Sequence, residues 1–152
     1  MTNKQQTMLA ALIATSMSLS AWAVEPAGMV KTSKGPVSIE RGEQRLVAVV
    51  GTPVLPTDRL RTGPNAAVGI TLRDNTLLSA GPNTLIAIDK FIFDSSTLVG
   101  DMSISIRKGT LSVATGKLAK QKPESVEFHT PTSVLGVRGT EFVIEVAEGS
   151  DE

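Results

Sequence analysis

Beyond its first two dozen residues the chain alternates apolar and polar positions in short runs separated by turn residues. Val37-Ser38-Ile39-Glu40-Arg41 has the two-residue period of a strand, and Gly42 ends it. Leu46-Val47-Ala48-Val49-Val50 is apolar on both parities, which predicts a strand buried on two sides. Pro53 and Pro56 make the next piece irregular. Val68-Gly69-Ile70-Thr71-Leu72 alternates again and meets Asp74-Asn75, a turn signal because Asn tolerates the left-handed backbone. Leu77-Leu78-Ser79-Ala80 begins the return strand, and further strands are expected at 85–88, 102–106, 109–113 and 125–129. No stretch after the N-terminal segment carries helical periodicity, so the domain is expected to be almost all β.

The turns repeat. Gly63-Pro64-Asn65 recurs eighteen residues later as Gly81-Pro82-Asn83, each copy is followed by an apolar strand, and Gly100-Asp101 opens another strand at a similar interval. Two architectures fit: a β-solenoid-like stack of strand-turn-strand coils, or a rolled β-fold that reuses one piece of turn chemistry.

The N-terminal segment reads as a processing signal. Lys4 precedes an apolar stretch that opens at Met8-Leu9-Ala10-Ala11-Leu12-Ile13-Ala14, and Ala21-Trp22-Ala23 places small residues where a signal peptidase cuts. The stretch is shorter than a spanning helix needs. With no cysteine in the chain, there is no site for lipid attachment, no disulfide and no thiolate metal site. The expected layout is a signal peptide at 1–23, a polar lead-in at 24–34, one β domain at 35–146 and an acidic tail at 147–152. The mature chain is expected in the periplasm, without a membrane span.

The total of 152 residues suits one domain, and 15 basic against 15 acidic residues argue against nucleic-acid binding. Cleavage after Ala23 removes Trp22 and leaves no Trp or Tyr for sugar or base stacking. Phe91, Phe128 and Phe142 lie in alternating runs and are assigned to the core. The lone His129 has no partners for a zinc site, and no serine sits on a nucleophile elbow. No cofactor fingerprint is present, and an enzyme is not expected. Between 107 and 122 lie five basic residues and no acid, namely Arg107, Lys108, Lys117, Lys120 and Lys122. They form either an anion or partner patch or a solvated loop.

Near the end stands Thr130-Pro131-Thr132-Ser133-Val134-Leu135-Gly136-Val137-Arg138-Gly139-Thr140-Glu141-Phe142. Phe142, Ile144 and Val146 alternate with Glu141, Val143 and Glu145, as in a strand with one buried face. Arg138 shares the parity of Thr140 and Phe142, so an unbroken strand would turn it inward. Its charge would then need a carboxylate, and Asp58, Asp74 and Glu141 are the candidates. Arg138 is thus either a structural clamp or a ligand anchor. Asp58 is suited to accept backbone N–H groups in its turn.

The stretch resembles the signature of FecR-type periplasmic domains, roughly T-P-x-x-V-x-G-V-R-G-T-x-F. Thr57-Asp58-Arg59-Leu60-Arg61-Thr62-Gly63 resembles a second family piece, G-D-x-L-x-T-G, with Thr57 in place of its glycine. Asp74-Asn75-Thr76 stands where the family has Asp-Gly-Ser. The resemblance makes Asp58, Asp74, Thr130, Pro131, Gly136, Arg138, Gly139 and Thr140 the signature or clamp residues. It implies a solenoid-like or rolled β-fold and a role in envelope signalling. In the namesake regulators the domain receives a signal from an outer-membrane transducer and relays it through a membrane helix to a sigma factor. This chain shows neither a cytoplasmic region nor an uncleaved helix, so the relay and any role in iron uptake are not expected here. Two functions follow: docking on an envelope sensor, transducer or secretion component, or binding of polysaccharide or a small anion through the basic 107–122 segment.

Overall fold

The computed structural model describes residues 23–138 and 140–148. The signal segment up to Trp22, Gly139 and most of the expected acidic tail lie outside those residues. The described chain is nearly all β. Its strands are β1 Gly28–Lys34, β2 Val37–Arg41, β3 Gln44–Val47, β4 Pro53–Val54, β5 Arg59–Thr62, β6 Ala67–Leu72, β7 Leu77–Ala80, β8 Leu85–Asp94 and β9 Val99–Ala114. A short helix, α1 Lys117–Gln121, and a 3-10 turn, Pro123–Ser125, precede β10 Val126–His129, β11 Val134–Gly136 and β12 Glu141–Val146.

These strands form one sheet that curls into an antiparallel half-barrel. Its two halves share β9. In one half, β3-β2-β5-β8 leads to the first part of β9, with β10 and then β11 beyond it. In the other, β4-β1-β6-β7 leads to the last part of β9, with β12 beyond it.

Four of the passages from one half to the other lie side by side. β1 runs into β2 through Gly35-Pro36, β5 into β6 through Gly63-Pro64-Asn65, β7 into β8 through Gly81-Pro82-Asn83, and β9 continues through Gly109. Each passage holds one residue in the left-handed region: Gly35 at φ 70°, Asn65 at 57°, Asn83 at 52° and Gly109 at 90°. Such bends are how a strand leaves one sheet face for another. Backbone bonds stitch neighbouring corners together. Gly63 N–H donates to Pro36 O (2.9 Å), Asn83 N–H to Gly63 O (3.2 Å) and Gly81 N–H to Thr110 O (3.0 Å).

A bend leaves ladder groups unpaired, and buried polar groups must find partners. Two threonine hydroxyls take that role. Thr62 Oγ1 donates to Gly81 O (2.6 Å) and accepts from Thr84 N–H (2.8 Å). Thr84 Oγ1 accepts from Thr110 N–H (3.0 Å) and lies 3.1 Å from Pro82 O. Thr62 and Thr84 are both buried. Inside the fold pack Ile39, Leu60, Ile70, Leu78, Ile86, Ile88, Ile104, Ile106, Leu111 and Phe128, drawn from both halves.

The structure corrects four expectations. The two Gly-Pro-Asn copies mark corners between antiparallel strands, whereas stacked coils need parallel neighbours. Among the described residues only β9 and β10 pair in parallel, and the ladder curls. Gly100 does stand at the opening of a strand, β9, but in the β8–β9 hairpin opposite Phe93; it is not a further copy of the Gly-Pro-Asn corner, and the next corner falls at Gly109. The run at 46–50 is not a strand buried on two sides: edge strand β3 ends at Val47, and Val47, Val49 and Val50 face solvent. The stretch read as a lead-in contains β1, which buries Val30 and pairs with β6. Its Val30/Thr32 bulge breaks the period that would have announced it.

Gly109 is the corner with least room. A Cβ there would lie 2.2 Å from Thr84 Oγ1 and 2.5 Å from Thr84 Cα, on a backbone at φ +90°. Gly42, at φ +59°, has no heavy atom within 4 Å of such a Cβ. Gly109→Ala is therefore expected to cost about 3 kcal/mol, and Gly42→Ala about 1 kcal/mol. Urea unfolding of both variants checks this, and equal losses would contradict the corner.

Candidate functional site

As a clamp, Arg138 would pair with Asp58, Asp74 or Glu141. The clamp exists, with a different arginine. Asp58 is fully buried at the start of β5, where a 55–58 turn brings Leu55 N–H to its Oδ2 (2.8 Å). Arg41, at the end of β2, grips both carboxylate oxygens: Nε to Oδ1 at 2.9 Å and Nη2 to Oδ2 at 2.7 Å. Its Nη2 also donates to Pro53 O (3.1 Å), and the Asp58 carboxylate holds the Arg41 pKa above its ordinary value. This two-pronged pair lies within one half of the sheet and ties β2, the 53–58 connection and β5 together.

Thr57 precedes Asp58 at φ 74°, a conformation a β-branched residue rarely adopts. The structure thus explains why a glycine suits that position: the turn needs the left-handed region so that Thr57 N–H can reach Ile88 O (2.6 Å).

Asp74 is also fully buried, and its partners are neutral. It accepts from Thr76 N–H (3.0 Å), Thr76 Oγ1 (2.8 Å) and Leu118 N–H (3.3 Å), and its carbonyl accepts from Lys117 N–H (2.7 Å). Gly116 N–H completes the cluster on Thr76 Oγ1 (3.0 Å). One carboxylate thus closes the β6–β7 turn and seats the start of α1, with Leu118 plugged into the core.

The signature behaves otherwise. Thr130 closes a turn, its N–H donating to Ser133 O (2.9 Å). Pro131 and Thr132 are exposed, and all three residues of β11 face solvent. Val137 is buried and Arg138 is exposed, the reverse of the strand parity, because no unbroken strand carries that parity: β11 ends at Gly136 and β12 begins at Glu141. No carboxylate of the described residues pairs with Arg138. The inward-clamp reading of Arg138 is corrected: Asp58 belongs to Arg41 and Asp74 to backbone donors. Gly136 has open space where a Cβ would stand, so packing does not require a glycine there. Thr140 O accepts from Thr115 N–H (2.8 Å), and Gly139 lies outside the described residues. From Glu141 the alternation holds as read: Ile144 is buried, Phe142 and Val146 are half-buried, and Glu141, Val143 and Glu145 are exposed. Phe142 meets Phe128 edge-on at 5.1 Å between ring centroids.

The basic residues do not gather at one place. Arg107 and Lys108 sit in mid-β9, while Lys117, Lys120 and Lys122 are exposed on and after α1. Arg107 instead lines a shallow depression of about 320 Å³ with Asp89, Ser103, Ser105 and His129. This brings a serine, a histidine and an aspartate together, but not as a relay. Asp89 accepts directly from Ser105 Oγ, and His129 Nε2 lies 3.2 Å from Glu127. No imidazole stands between hydroxyl and carboxylate. Among the described residues no cluster of three or more metal-binding side chains occurs, and no helix is long and apolar enough to cross a membrane.

Two arginines went unnoticed in the sequence. Arg41 ends a strand like any surface cation. Arg73 donates to Pro26 O (2.6 Å) and Phe93 O (3.2 Å), pairs with Glu25 (2.8 Å) and lies over the Phe91 ring at 5.3 Å. Both are recognisable only once the topology sets distant turns beside them.

A family model described as FecR protein matches residues 58–152, more than half of the chain. The chain therefore belongs to the FecR protein family. No curated protein and no solved structure matches it.

The two halves of the early turn are expected to respond oppositely. Arg41→Ala leaves the buried Asp58 carboxylate with one backbone donor and is expected to cost about 2–4 kcal/mol. Thr57→Gly relieves the left-handed threonine and is expected to raise stability by about 1 kcal/mol. Thermal unfolding of the two variants reads both signs, and a loss on Thr57→Gly would contradict the account of the turn.

Proposed function

We propose that this FecR-family chain is an exported, non-enzymatic docking module of a bacterial envelope signalling system. The family is one of signalling or sensing modules, which sets the class. The observation that supports docking over pure scaffolding is the exposure of Arg138. The polar signature residues Thr130, Arg138 and Thr140 do not hold the core together, whereas Asp58 and Asp74 do. Arg138 lines one depression with the exposed Gly136, which in chemical terms is a recognition surface: a fork of donors near bare backbone.

In this reading residues 1–23 direct export and are removed, and the domain works in the periplasm. Its partner is an envelope sensor, transducer or secretion component. A second reading, binding of polysaccharide or a small anion, is supported at Arg107, which shares its depression with His129. The three lysines of 117–122, on and after α1, do not line that depression and would form a separate site.

The test is capture of the tagged mature protein after mild cross-linking in intact cells, read by mass spectrometry. The wild type is expected to yield one dominant envelope protein. Arg138→Ala is expected to lose that partner with its melting temperature unchanged within about 1 °C, since an exposed unpaired side chain contributes little stability. Loss of melting temperature on Arg138→Ala, or capture of the same partner at the same level, would contradict the reading.

A further inference from the structure

Two strand edges of this half-barrel are left open on the same side. β12 pairs only with β9 among the described residues, and β11 only with β10. Between them runs a groove of about 300 Å³ lined by Leu135, Gly136, Val137 and Arg138 on one side and by Glu141, Phe142, Val143 and Ile144 on the other. Leu135 and Val143 are exposed there, at 37% and 65%. An unpaired edge offers a row of main-chain donors and acceptors to any extended segment.

We propose that this groove takes an extended segment of a second protein as an added strand on β12, and that the segment carries lysine or arginine on both sides of an uncharged residue, at two-residue spacing. The proposal rests on the docking reading above and names its site and the chemistry of its partner.

The charge row specifies the occupant. The outward side chains of β12 are Glu141, Val143 and Glu145, and the stretch 140–148 carries a third acid, Glu148, with no base. A strand beside β12 sets its own outward residues directly opposite these, where opposite charges attract and like charges repel. The complementary row is cation, uncharged residue, cation. The inward residues of the occupant face the Phe142 and Ile144 side and are apolar. A second copy of the chain does not fit. Antiparallel self-pairing centred on Val143 would put Glu141 opposite Glu145 twice. Gly136 supplies the clearance: its backbone is ordinary and no heavy atom lies within 4 Å of where a Cβ would be, so the bare edge serves an approaching chain and not the packing of this one. Arg138 on the facing lip donates to carbonyl oxygens at one end of the segment.

The experiment uses three labelled eleven-residue peptides and the mature chain, read by fluorescence anisotropy. The first has the central sequence Lys-Ile-Thr-Ile-Lys, the second Glu-Ile-Thr-Ile-Glu, and the third repeats the first with alternate main-chain nitrogens methylated. The lysine peptide is expected to bind at least about tenfold tighter than the glutamate peptide, and the methylated one not at all. Glu141→Lys with Glu145→Lys is expected to invert the preference, and Gly136→Val to abolish binding with the melting temperature unchanged. Equal binding of the first two peptides, binding of the methylated peptide, no binding up to millimolar concentration, or self-association through β12 in sedimentation would each overturn the proposal. If the charge-swapped variant still captures the wild-type partner in cells, docking stands and this groove is not its site. If the wild type captures no partner, the docking reading fails whatever the peptides do.

Discussion

Everything else in the structure depends on how the sheet turns its corner. A curled sheet has to bend every strand that spans both halves, and each bend frees N–H and C=O groups inside the protein. Here the bends are aligned at Gly35, Gly63, Gly81 and Gly109, so that the groups freed at one corner meet the next. Where backbone alone cannot reach, Thr62 and Thr84 insert hydroxyls that both donate and accept. Removing a donor or acceptor from such a line leaves its neighbour buried without a partner. The two buried carboxylates serve the same end from outside the line, Asp58 by fixing the turn before β5 and Asp74 by closing the β6–β7 hairpin onto α1.

Much of this was legible in the chain. The strands at 37–41, 68–72, 77–80, 102–106 and 126–129 follow from alternation, and the Asp74-Asn75 turn from its residues, since Asn75 does take φ 69°. The Gly-Pro-Asn repeat was visible, but its meaning was not. The same three residues make a coil turn or a sheet corner depending on which strands later pair, and pairing partners lie tens of residues away. The run at 46–50 misled for a related reason: apolar residues on both parities signal double burial only in an interior strand, and β3 is an edge.

The candidate site divides along the same line. Asp58 and Asp74 were identified from turn chemistry, and the structure places both at turns. The error concerned Arg138, because parity carries orientation only along an unbroken strand, and here β11 ends at Gly136 and β12 begins at Glu141. The cation that Asp58 needs came from Arg41, in a segment with no motif to mark it. Part of the family signature is therefore structural and part is displayed. The displayed residues Leu135, Gly136 and Arg138 share one groove with the open edge of β12.

Amide hydrogen exchange at the corner is the most direct test of this account. Thr84 N–H donates to Thr62 Oγ1 and Thr110 N–H to Thr84 Oγ1, so side-chain hydroxyls hold these two amides. If the corner line governs the fold, both should exchange only on global unfolding, as slowly as Ile104 in the middle of β9. Exchange at Thr84 and Thr110 faster by several orders of magnitude, with Ile104 still protected, would show that the halves are joined elsewhere and contradict the account.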